Sequence, residues 1–181
     1  TKKVLLPDLE AGCSLADSCP IVDFKQFIQA HPNHIVITYI NSSVEVKLVT
    51  DIVCTSSNAV KIVESLPKDQ KIIFGPDKNL GAYVNQITGR NMVLWPGQCH
   101  VHDTLNSEAV IKLKINNPNA KLLAHPECQQ VILEMADFIG STTAIIQFAK
   151  TDNATKYIIA TETGILHQLQ KDNPHKEFLI V

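Results

Sequence analysis

Three kinds of chemically capable residue occur twice in the chain at a constant interval of 86 positions. The first is a cysteine, Cys13 or Cys99, whose thiolate can bind a metal or attack a substrate. The second is a tripeptide with proton-transferring groups, and the third is a pair of hydroxyls. These are Tyr39-Ile40-Asn41 with His125-Pro126-Glu127, and Ser56-Ser57 with Thr142-Thr143. The repetition predicts one site to which both copies contribute.

Short apolar runs rich in Ile and Val alternate with amphipathic segments. The runs occupy residues 35–39, 52–54, 72–74, 92–94, 122–124 and 158–160. Continuous apolar runs of this length are typical of strands buried on both faces of a parallel sheet. Helical periodicity is found at 24–30, 44–49, 59–66 and 131–135, so the order predicts βαβ units and an α/β fold. Because ligands bind at the carboxyl ends of such strands, we expect both copies to face a central cavity.

The same interval relates residues that carry no obvious chemistry, which predicts a duplicated domain. Asp51 meets Asp137, and residues 72–73 meet 158–159, with no gap expected from Cys13 onward. The expected division of the chain is therefore the end of a first repeat, a complete second repeat and an incomplete third. These repeats are residues 1–12, 13–98 and 99–181.

Both ends of the chain carry strand-like runs, at residues 3–6 and 178–181. The next cysteine in register would lie just beyond residue 181. We therefore expect this chain to be a fragment whose last repeat stops before that cysteine.

The strand-end residues suit acid–base and anion chemistry. A neutral imidazole and a carboxylate one residue apart, His125 and Glu127, can share proton transfer. Ser56 and Thr142 stand where helices are predicted to begin, so they would cap backbone N–H groups. Since free N–H groups and the helix dipole also favour a carboxylate or phosphate, we interpret the hydroxyl pairs as anion-binding.

The five cysteines are Cys13, Cys19, Cys54, Cys99 and Cys128. An odd and sparse set indicates a reducing cytoplasm rather than a disulfide scaffold. One cysteine per repeat facing a shared axis favours an iron–sulfur cluster with three protein thiolates and one open iron. The other three lack repeat partners and are interpreted as small buried or surface thiols. Cys99, His100 and His102 would be a zinc set, although neighbouring residues point in different directions.

Composition excludes several classes of protein. Net charge is -2 and the chain has no long basic run, so nucleic acid is not an expected partner. No apolar stretch approaches the roughly 18 residues that span a bilayer, so no membrane partner is expected. Neither G-x-G-x-x-G nor a Walker A pattern is present, which argues against nucleotide binding by those loops.

The chain resembles the quinolinate synthase family from end to end and in order. The residues that carry the resemblance are 5–16, 39–41, 55–60, 75–81, 95–99, 125–127, 140–142 and 160–165. They read LLPDLEAGCSLA, YIN, TSSNAV, GPDKNLG, WPGQC, HPE, GST and ATETGI. Against the family pattern, an amino-terminal part with a substrate-binding His and Ser is absent, as is a carboxy-terminal part with the third cysteine.

The resemblance implies three αβα domains around a pseudo-threefold axis and a 4Fe-4S cluster held by three cysteines, here Cys13 and Cys99. It implies condensation of iminoaspartate with dihydroxyacetone phosphate to quinolinate, phosphate and water, in the cytoplasm. An aspartate-oxidising enzyme that supplies iminoaspartate is an implied partner. The implied substrate site comprises Tyr39, Ile40, Asn41, Ser56, His125, Pro126, Glu127 and Thr142.

Catalytic roles are expected for three of these residues. Glu127, oriented by His125, is the candidate general acid or base, and Tyr39 would position a substrate hydroxyl or relay a proton. Two alternatives remain open: a zinc-dependent hydrolase using Cys99, His100 and His102, and a non-catalytic ligand-binding module built from two α/β lobes.

Overall fold

A computed structural model describes residues 3–5, 8 and 10–181. Within these residues the strands form two four-stranded sheets, in which every neighbouring pair is parallel. The first sheet has the order β2-β1-β3-β4 and the second the order β6-β5-β7-β8. The strands are β1 Ile35–Tyr39, β2 Ile52–Cys54, β3 Ile72–Gly75, β4 Val93–Leu94, β5 Lys121–Ala124, β6 Phe138–Ile139, β7 Lys156–Ala160 and β8 Glu177–Ile180. The predicted α/β class with short parallel sheets is confirmed.

Helices connect the strands as βαβ crossovers require. Those around the first sheet are α1 Ser14–Asp17, α2 Ile21–Ala30, α3 Val44–Lys47, α4 Ala59–Ser65 and α5 Lys78–Thr88. Those around the second sheet are α6 His100–Asp103, α7 Ser107–Asn116, α8 Gln130–Met135, α9 Thr142–Thr151 and α10 Ile165–Asp172. No helix in the described part of the chain is long and apolar enough to cross a membrane.

Each sheet is covered by helices on both faces. In β1, Val36 packs with Phe24 of α2, whereas its neighbour Ile37 packs with Val63 of α4. Successive side chains of a strand point to opposite faces, so the two clusters lie on opposite sides of the sheet. The second sheet repeats this pattern, because Leu122 joins the α7 and α8 cluster and Leu123 the α9 and α10 cluster. Each half is therefore a three-layer αβα arrangement.

In both sheets an aspartate immediately before the second strand forms two hydrogen bonds with the backbone of the first strand. The Asp51 carboxylate accepts a hydrogen bond from Val36 N at 2.7 Å, and Asp51 N donates to Val36 O at 2.9 Å. The Asp137 carboxylate accepts from Leu122 N at 2.7 Å, and Asp137 N donates to Leu122 O at 2.8 Å. The 86-residue interval thus relates contacts as well as residue types.

The prediction that this interval continues without a gap is wrong at the third strand of each sheet. Ile35 pairs with Ile72 in the first sheet, but Lys121 pairs with Tyr157 in the second. Tyr157 and Ile158 are therefore the counterparts of residues 72–73, because the connection from the second to the third strand is one residue shorter in the second sheet. The interval returns to 86 at the fourth strand, where Val93 corresponds to Leu179.

The strand-like runs at the two ends have different outcomes. Lys3, Val4 and Leu5 are exposed and lie in no strand, while Leu6 falls outside the described residues. The run at 178–181 is confirmed as a strand, since β8 extends from Glu177 to Ile180.

Candidate functional site

A cavity of about 370 Å³ opens where β1 and β5 end. Eight of the residues predicted from the sequence line it: Cys13, Tyr39, Asn41, Ser56, Cys99, His125, Glu127 and Thr142. Ile40 and Pro126 are not among the described lining residues, because Ile40 is 44% exposed elsewhere and Pro126 is buried. The central cavity expected from the repeat is present, without those two side chains.

The two repeated cysteines each precede a helix of four residues. Cys13 is exposed and immediately precedes α1, and Cys99 is half-buried and immediately precedes α6. In the described part of the chain neither thiol caps its helix, so both are available to a ligand. Cys19, Cys54 and Cys128 are buried, and burial raises the pKa of each to about 12. Those three are the small buried thiols that the sequence predicted.

His102 links the Cys99 thiol to the Glu127 carboxylate. Its Nδ1 lies 3.2 Å from Cys99 Sγ and 2.8 Å from Glu127 Oε2. Burial disfavours both charged forms, but the contacts outweigh it. Hydrogen bonds with Cys99 and Glu127 raise the pKa of His102, and the hydrogen bond with His102 together with the two neighbouring imidazoles lowers the pKa of Glu127. A proton on Nδ1 is therefore held between the imidazole and the carboxylate.

His125 lies beside this pair and is held in the neutral form. Burial lowers its pKa to about 4. Its Nδ1 accepts a hydrogen bond from Glu127 N at 3.4 Å, so Nε2 carries the proton and donates to Ser56 Oγ at 3.2 Å. The ring stacks on His102, with centroids 4.7 Å apart. The hydrogen bond between Ser56 and His125 thus joins a hydroxyl beside the first sheet to an imidazole beside the second.

Tyr39 is 8% exposed at the end of β1 and faces the same cavity. Burial raises its pKa, and the nearby Glu127 carboxylate raises it further. Its hydroxyl therefore stays protonated at neutral pH and can donate a hydrogen bond into the cavity.

Asp77, which was not predicted as a site residue, holds the backbone of Cys99 in place. Its carboxylate accepts from Leu80 N at 2.7 Å, which caps α5, and from Cys99 N at 2.9 Å. The residue is fully buried, and burial raises its pKa to about 6 against the effect of these two donors. Asp77 thus joins a helix of the first sheet to the cysteine that begins the second.

The prediction that Ser56 and Thr142 cap helices is wrong. Ser141 caps α9, because its hydroxyl accepts from Ala144 N at 3.3 Å. Thr142 is the first residue of that helix, and Ser56 precedes α4 by three positions and contacts His125. Both hydroxyls are therefore free of capping and turned to the cavity.

The zinc set of Cys99, His100 and His102 is not assembled. His100 is exposed and not among the described lining residues, whereas Cys99 and His102 lie three positions apart on one side of a helical turn. Their third neighbour is Glu127, and the donor atoms of these three residues all lie within 4.8 Å of one another.

Asp77 and Thr161 are site residues that sequence reasoning missed, and His102 was named only in the alternative zinc set. The three-residue spacing from Cys99 was an available signal for His102, since it places both on one helical face. Asp77 and Thr161 follow the third strand of each sheet, whereas the predicted site residues follow the first and second strands or are the repeated cysteines. Thr161 Oγ1 lies 2.9 Å from His102 Nε2.

Fold and cavity together define an α/β protein with thiol, imidazole and carboxylate donors converging at the ends of parallel strands. Comparison with known families then gives a match over residues 1–181 to the family described as quinolinate synthetase A protein. The chain therefore belongs to this family.

Curated relatives agree with this assignment. The chain is 57% identical over 178 residues to a protein of Synechocystis sp. named quinolinate synthase, which covers 98% of the chain and 56% of the relative. It is 55% identical over 180 residues to that of Prochlorococcus marinus strain MIT 9313, covering 99% and 54%. With that of Thermosynechococcus vestitus the identity is 56% over 178 residues, covering 98% and 56%. The chain thus spans little more than half the length of these relatives.

Proposed function

We propose that the full-length protein containing this chain is a quinolinate synthase that condenses iminoaspartate with dihydroxyacetone phosphate to quinolinate, phosphate and water. The observation that carries the proposal is the convergence of both repeated cysteines and six predicted polar residues on one cavity of about 370 Å³. Relatives that are 55–57% identical to the chain over the aligned residues are named quinolinate synthase.

The cofactor we propose is a 4Fe-4S cluster bound by Cys13, Cys99 and a third thiolate from outside this chain. The donors suit it, because two free thiols line the same cavity and soft thiolates are the preferred ligands of iron–sulfur clusters. When bound with only three thiolates, the cluster supplies an open iron that acts as a Lewis acid. The remaining chemistry falls to the side chains of the cavity.

Glu127 is the residue we assign to general acid and base work. Oε2 is engaged by His102, whereas buried Oε1 finds no hydrogen-bond partner among the described residues. Because Glu127 lines the cavity, its carboxylate is the group that would exchange a proton with substrate. His102 would orient the carboxylate and share its proton, a role that the sequence had given to His125.

The other cavity residues would bind and orient the substrates. Thr142 stands in the first turn of the ten-residue helix α9, where backbone N–H groups and the helix dipole favour a carboxylate or a phosphate. Ser56, Asn41 and the protonated Tyr39 hydroxyl offer hydrogen bonds to carbonyl or hydroxyl oxygens from the opposite side. His125, neutral and hydrogen-bonded to Ser56, would hold that hydroxyl in place.

The domain organisation we propose is three repeats, with residues 1–12 ending the first, 13–98 forming the second and 99–181 belonging to the third. The shared strand order supports the duplication. A third unit is supported by an exposed apolar face on the first sheet, formed by Val44, Leu48 and Val53. Their counterparts in the second sheet line a crevice against α5: Gln130, Glu134 and Ile139. An equivalent helix from a preceding repeat would cover the exposed face in a pseudo-threefold arrangement.

A cytoplasmic location and supply of iminoaspartate by an aspartate-oxidising enzyme complete the proposal. All five cysteines are free thiols, which suits a reducing compartment.

The test uses the full-length protein, purified without oxygen. We expect iron and sulfide to be present and quinolinate to form from the two substrates. Glu127→Gln should retain the cluster but lose roughly 10²–10⁴-fold in turnover, as is typical for loss of a general acid or base. Glu108→Gln, which alters an exposed carboxylate on α7, is the matched control and should keep full turnover. Near-normal turnover by Glu127→Gln would remove Glu127 from the chemistry, and absence of quinolinate from the wild type would refute the function.

A further inference from the structure

Three donor groups of different chemistry meet at one point in the wall of the cavity. His102 Nδ1 lies 2.8 Å from Glu127 Oε2 and 3.2 Å from Cys99 Sγ, and the donor atoms of the three residues lie within 4.8 Å of one another. In a tetrahedral zinc site the donor atoms lie roughly 3.3–3.6 Å apart, given metal–donor distances of about 2.0–2.3 Å. The three side chains thus need only small movements to surround a zinc ion.

The surroundings of the imidazole match those of a metal-bound histidine. Its outer nitrogen, Nε2, lies 2.9 Å from Thr161 Oγ1. When Nε2–H donates to that hydroxyl, the lone pair of Nδ1 faces the thiol and the carboxylate, which is the tautomer a metal requires. His102 is 6% exposed and Glu127 3% exposed, so neither side chain must be withdrawn from water to bind an ion.

One polar atom of the group is buried without a partner. Glu127 Oε1 has no hydrogen-bond partner among the described residues, although the side chain is almost fully buried. A buried carboxylate oxygen left unpaired costs free energy. A divalent cation bound by this carboxylate would satisfy its charge.

The first sheet provides an internal comparison, because only one of the three donors is repeated there. Ala16 stands where the second copy has His102, and Asn41 stands where it has Glu127. Only the cysteine is common to both copies, as Cys13 and Cys99. A metal set of thiol, imidazole and carboxylate therefore belongs to the second copy alone.

We propose that, in the protein without its cluster, Cys99, His102 and Glu127 bind a single zinc ion that leaves a fourth position open, and that this ion competes with cluster assembly for Cys99. A thiolate, an imidazole and a carboxylate are ordinary zinc ligands, and three protein ligands with one open position are a common zinc arrangement. Binding releases the protons held on the thiol and between His102 and Glu127. The inference does not depend on the identity of the substrates.

The experiment titrates the full-length protein, freed of iron and sulfide by chelation under anaerobic reducing conditions, with Zn²⁺ alone. We expect one zinc per chain to survive gel filtration. His102→Ala should weaken zinc binding by at least about a hundredfold. Thr161→Val, which removes only the hydrogen bond to Nε2 and preserves the side-chain shape, should weaken it by roughly ten- to a hundredfold. Circular dichroism checks that each variant keeps its fold.

Two control variants separate this site from its neighbours. Cys13→Ser should retain zinc even though it removes a proposed cluster thiol, and His100→Ala should retain zinc because His100 is exposed. Loss of zinc in Cys13→Ser together with its retention in His102→Ala and Thr161→Val would show that zinc occupies the cluster thiols instead, which overturns the proposal. Absence of bound zinc in the wild type would also overturn it.

Competition is measured by reconstituting the wild type with iron and sulfide, with or without one prior equivalent of Zn²⁺. We expect zinc to slow incorporation of iron in the wild type and to have little effect on the rate in Thr161→Val. Equal rates with and without zinc in the wild type would contradict the competition. Failure of the proposed enzymatic function would appear separately, as absent quinolinate formation by cluster-loaded protein.

Discussion

Asp51 and Asp137 make the same two hydrogen bonds at the amino-terminal side of the two sheets, with matching lengths. At the carboxyl ends of the same first strands, Tyr39 and Asn41 stand where the second sheet has His125 and Glu127. The two sheets therefore have the same aspartate at the amino-terminal side, whereas the residues at the carboxyl ends of their first strands differ. Contacts that fix the pairing of strands tolerate little variation, whereas side chains that face a cavity can differ without disturbing the fold.

The helices that follow the two cysteines differ in a similar way. Leu15, in α1, is fully buried and packs in the core of the first sheet, while α6 presents His102 to the cavity at the position equivalent to Ala16. Cys13 is exposed and Cys99 half-buried beside His102. The two halves thus share a thiol before the first helix, and the second half also places an acid–base residue beside it.

The largest change in stability that we expect is at Asp77, two positions beyond the third strand of the first sheet. Glu162 has the same place in the second sheet and provides the comparison. Asp77 is fully buried and accepts from Leu80 N and Cys99 N, whereas its counterpart Glu162 is exposed and accepts from Gly164 N. Asp77→Ala leaves one buried and one half-buried N–H donor unpaired, so it should lower the free energy of unfolding by about 2–4 kcal/mol. It should also reduce iron content, because the backbone of Cys99 loses its anchor.

Glu162→Ala is the matched control and should cost less than about 0.5 kcal/mol, since the residue is on the surface. Denaturant unfolding and iron analysis of the full-length variants provide the measurements. Equal losses of stability in the two variants would show that burial does not distinguish these positions.

The two aspartates at the other end of the sheets should behave alike. Asp51→Ala and Asp137→Ala each remove a carboxylate that accepts from a strand N–H at 2.7 Å. We expect each to lower the free energy of unfolding by about 1–2 kcal/mol, within the range for hydrogen bonds to charged groups. Chemical denaturation of both variants tests this, and a loss confined to one of them would contradict the equivalence of the two sheets.

The smallest effect concerns adjacent hydroxyls at the start of α9. Ser141→Ala removes the helix cap and should cost about 1 kcal/mol of stability while leaving substrate affinity little changed. Thr142→Val should cost less than about 0.5 kcal/mol but raise KM, because its hydroxyl faces the cavity. Unfolding curves and steady-state kinetics would reveal the reverse pattern if Thr142 were the structural residue.

The strands were predictable from sequence where β-branched residues run continuously. Ile35–Tyr39 and Ile52–Cys54 have the predicted bounds. Phe138–Ile139 was not predicted, because a two-residue strand carries no periodicity. The helices after Cys13 and Cys99 escaped for a similar reason, since four residues span little more than one turn.

For the site, the constant interval identified eight lining residues, because residues 86 positions apart lie at equivalent places beside two sheets of matching strand order. It could not identify His102, because Ala16 stands at that position in the first copy, or Asp77, because at an interval of 86 Asp77 meets Thr163 and not its counterpart Glu162. The constant interval also failed to predict the one-residue difference in length before β7. At an interval of 86, Ile72 and Ile73 still meet two isoleucines, at residues 158–159, so the sequence does not reveal that Tyr157 and Ile158 are the structural counterparts.

The central claim is that the two cysteines in repeat register bind one cluster at the shared cavity. The most direct measurement is the iron and sulfide content of full-length cysteine variants purified without oxygen, together with their visible absorbance. Cys13→Ser and Cys99→Ser should lose the cluster, because a serine hydroxyl is a poor ligand for iron in place of a soft thiolate. Cys19→Ser, Cys54→Ser and Cys128→Ser should keep about four iron and four sulfide per chain. Loss of the cluster in Cys19→Ser with its retention in Cys13→Ser would contradict the account.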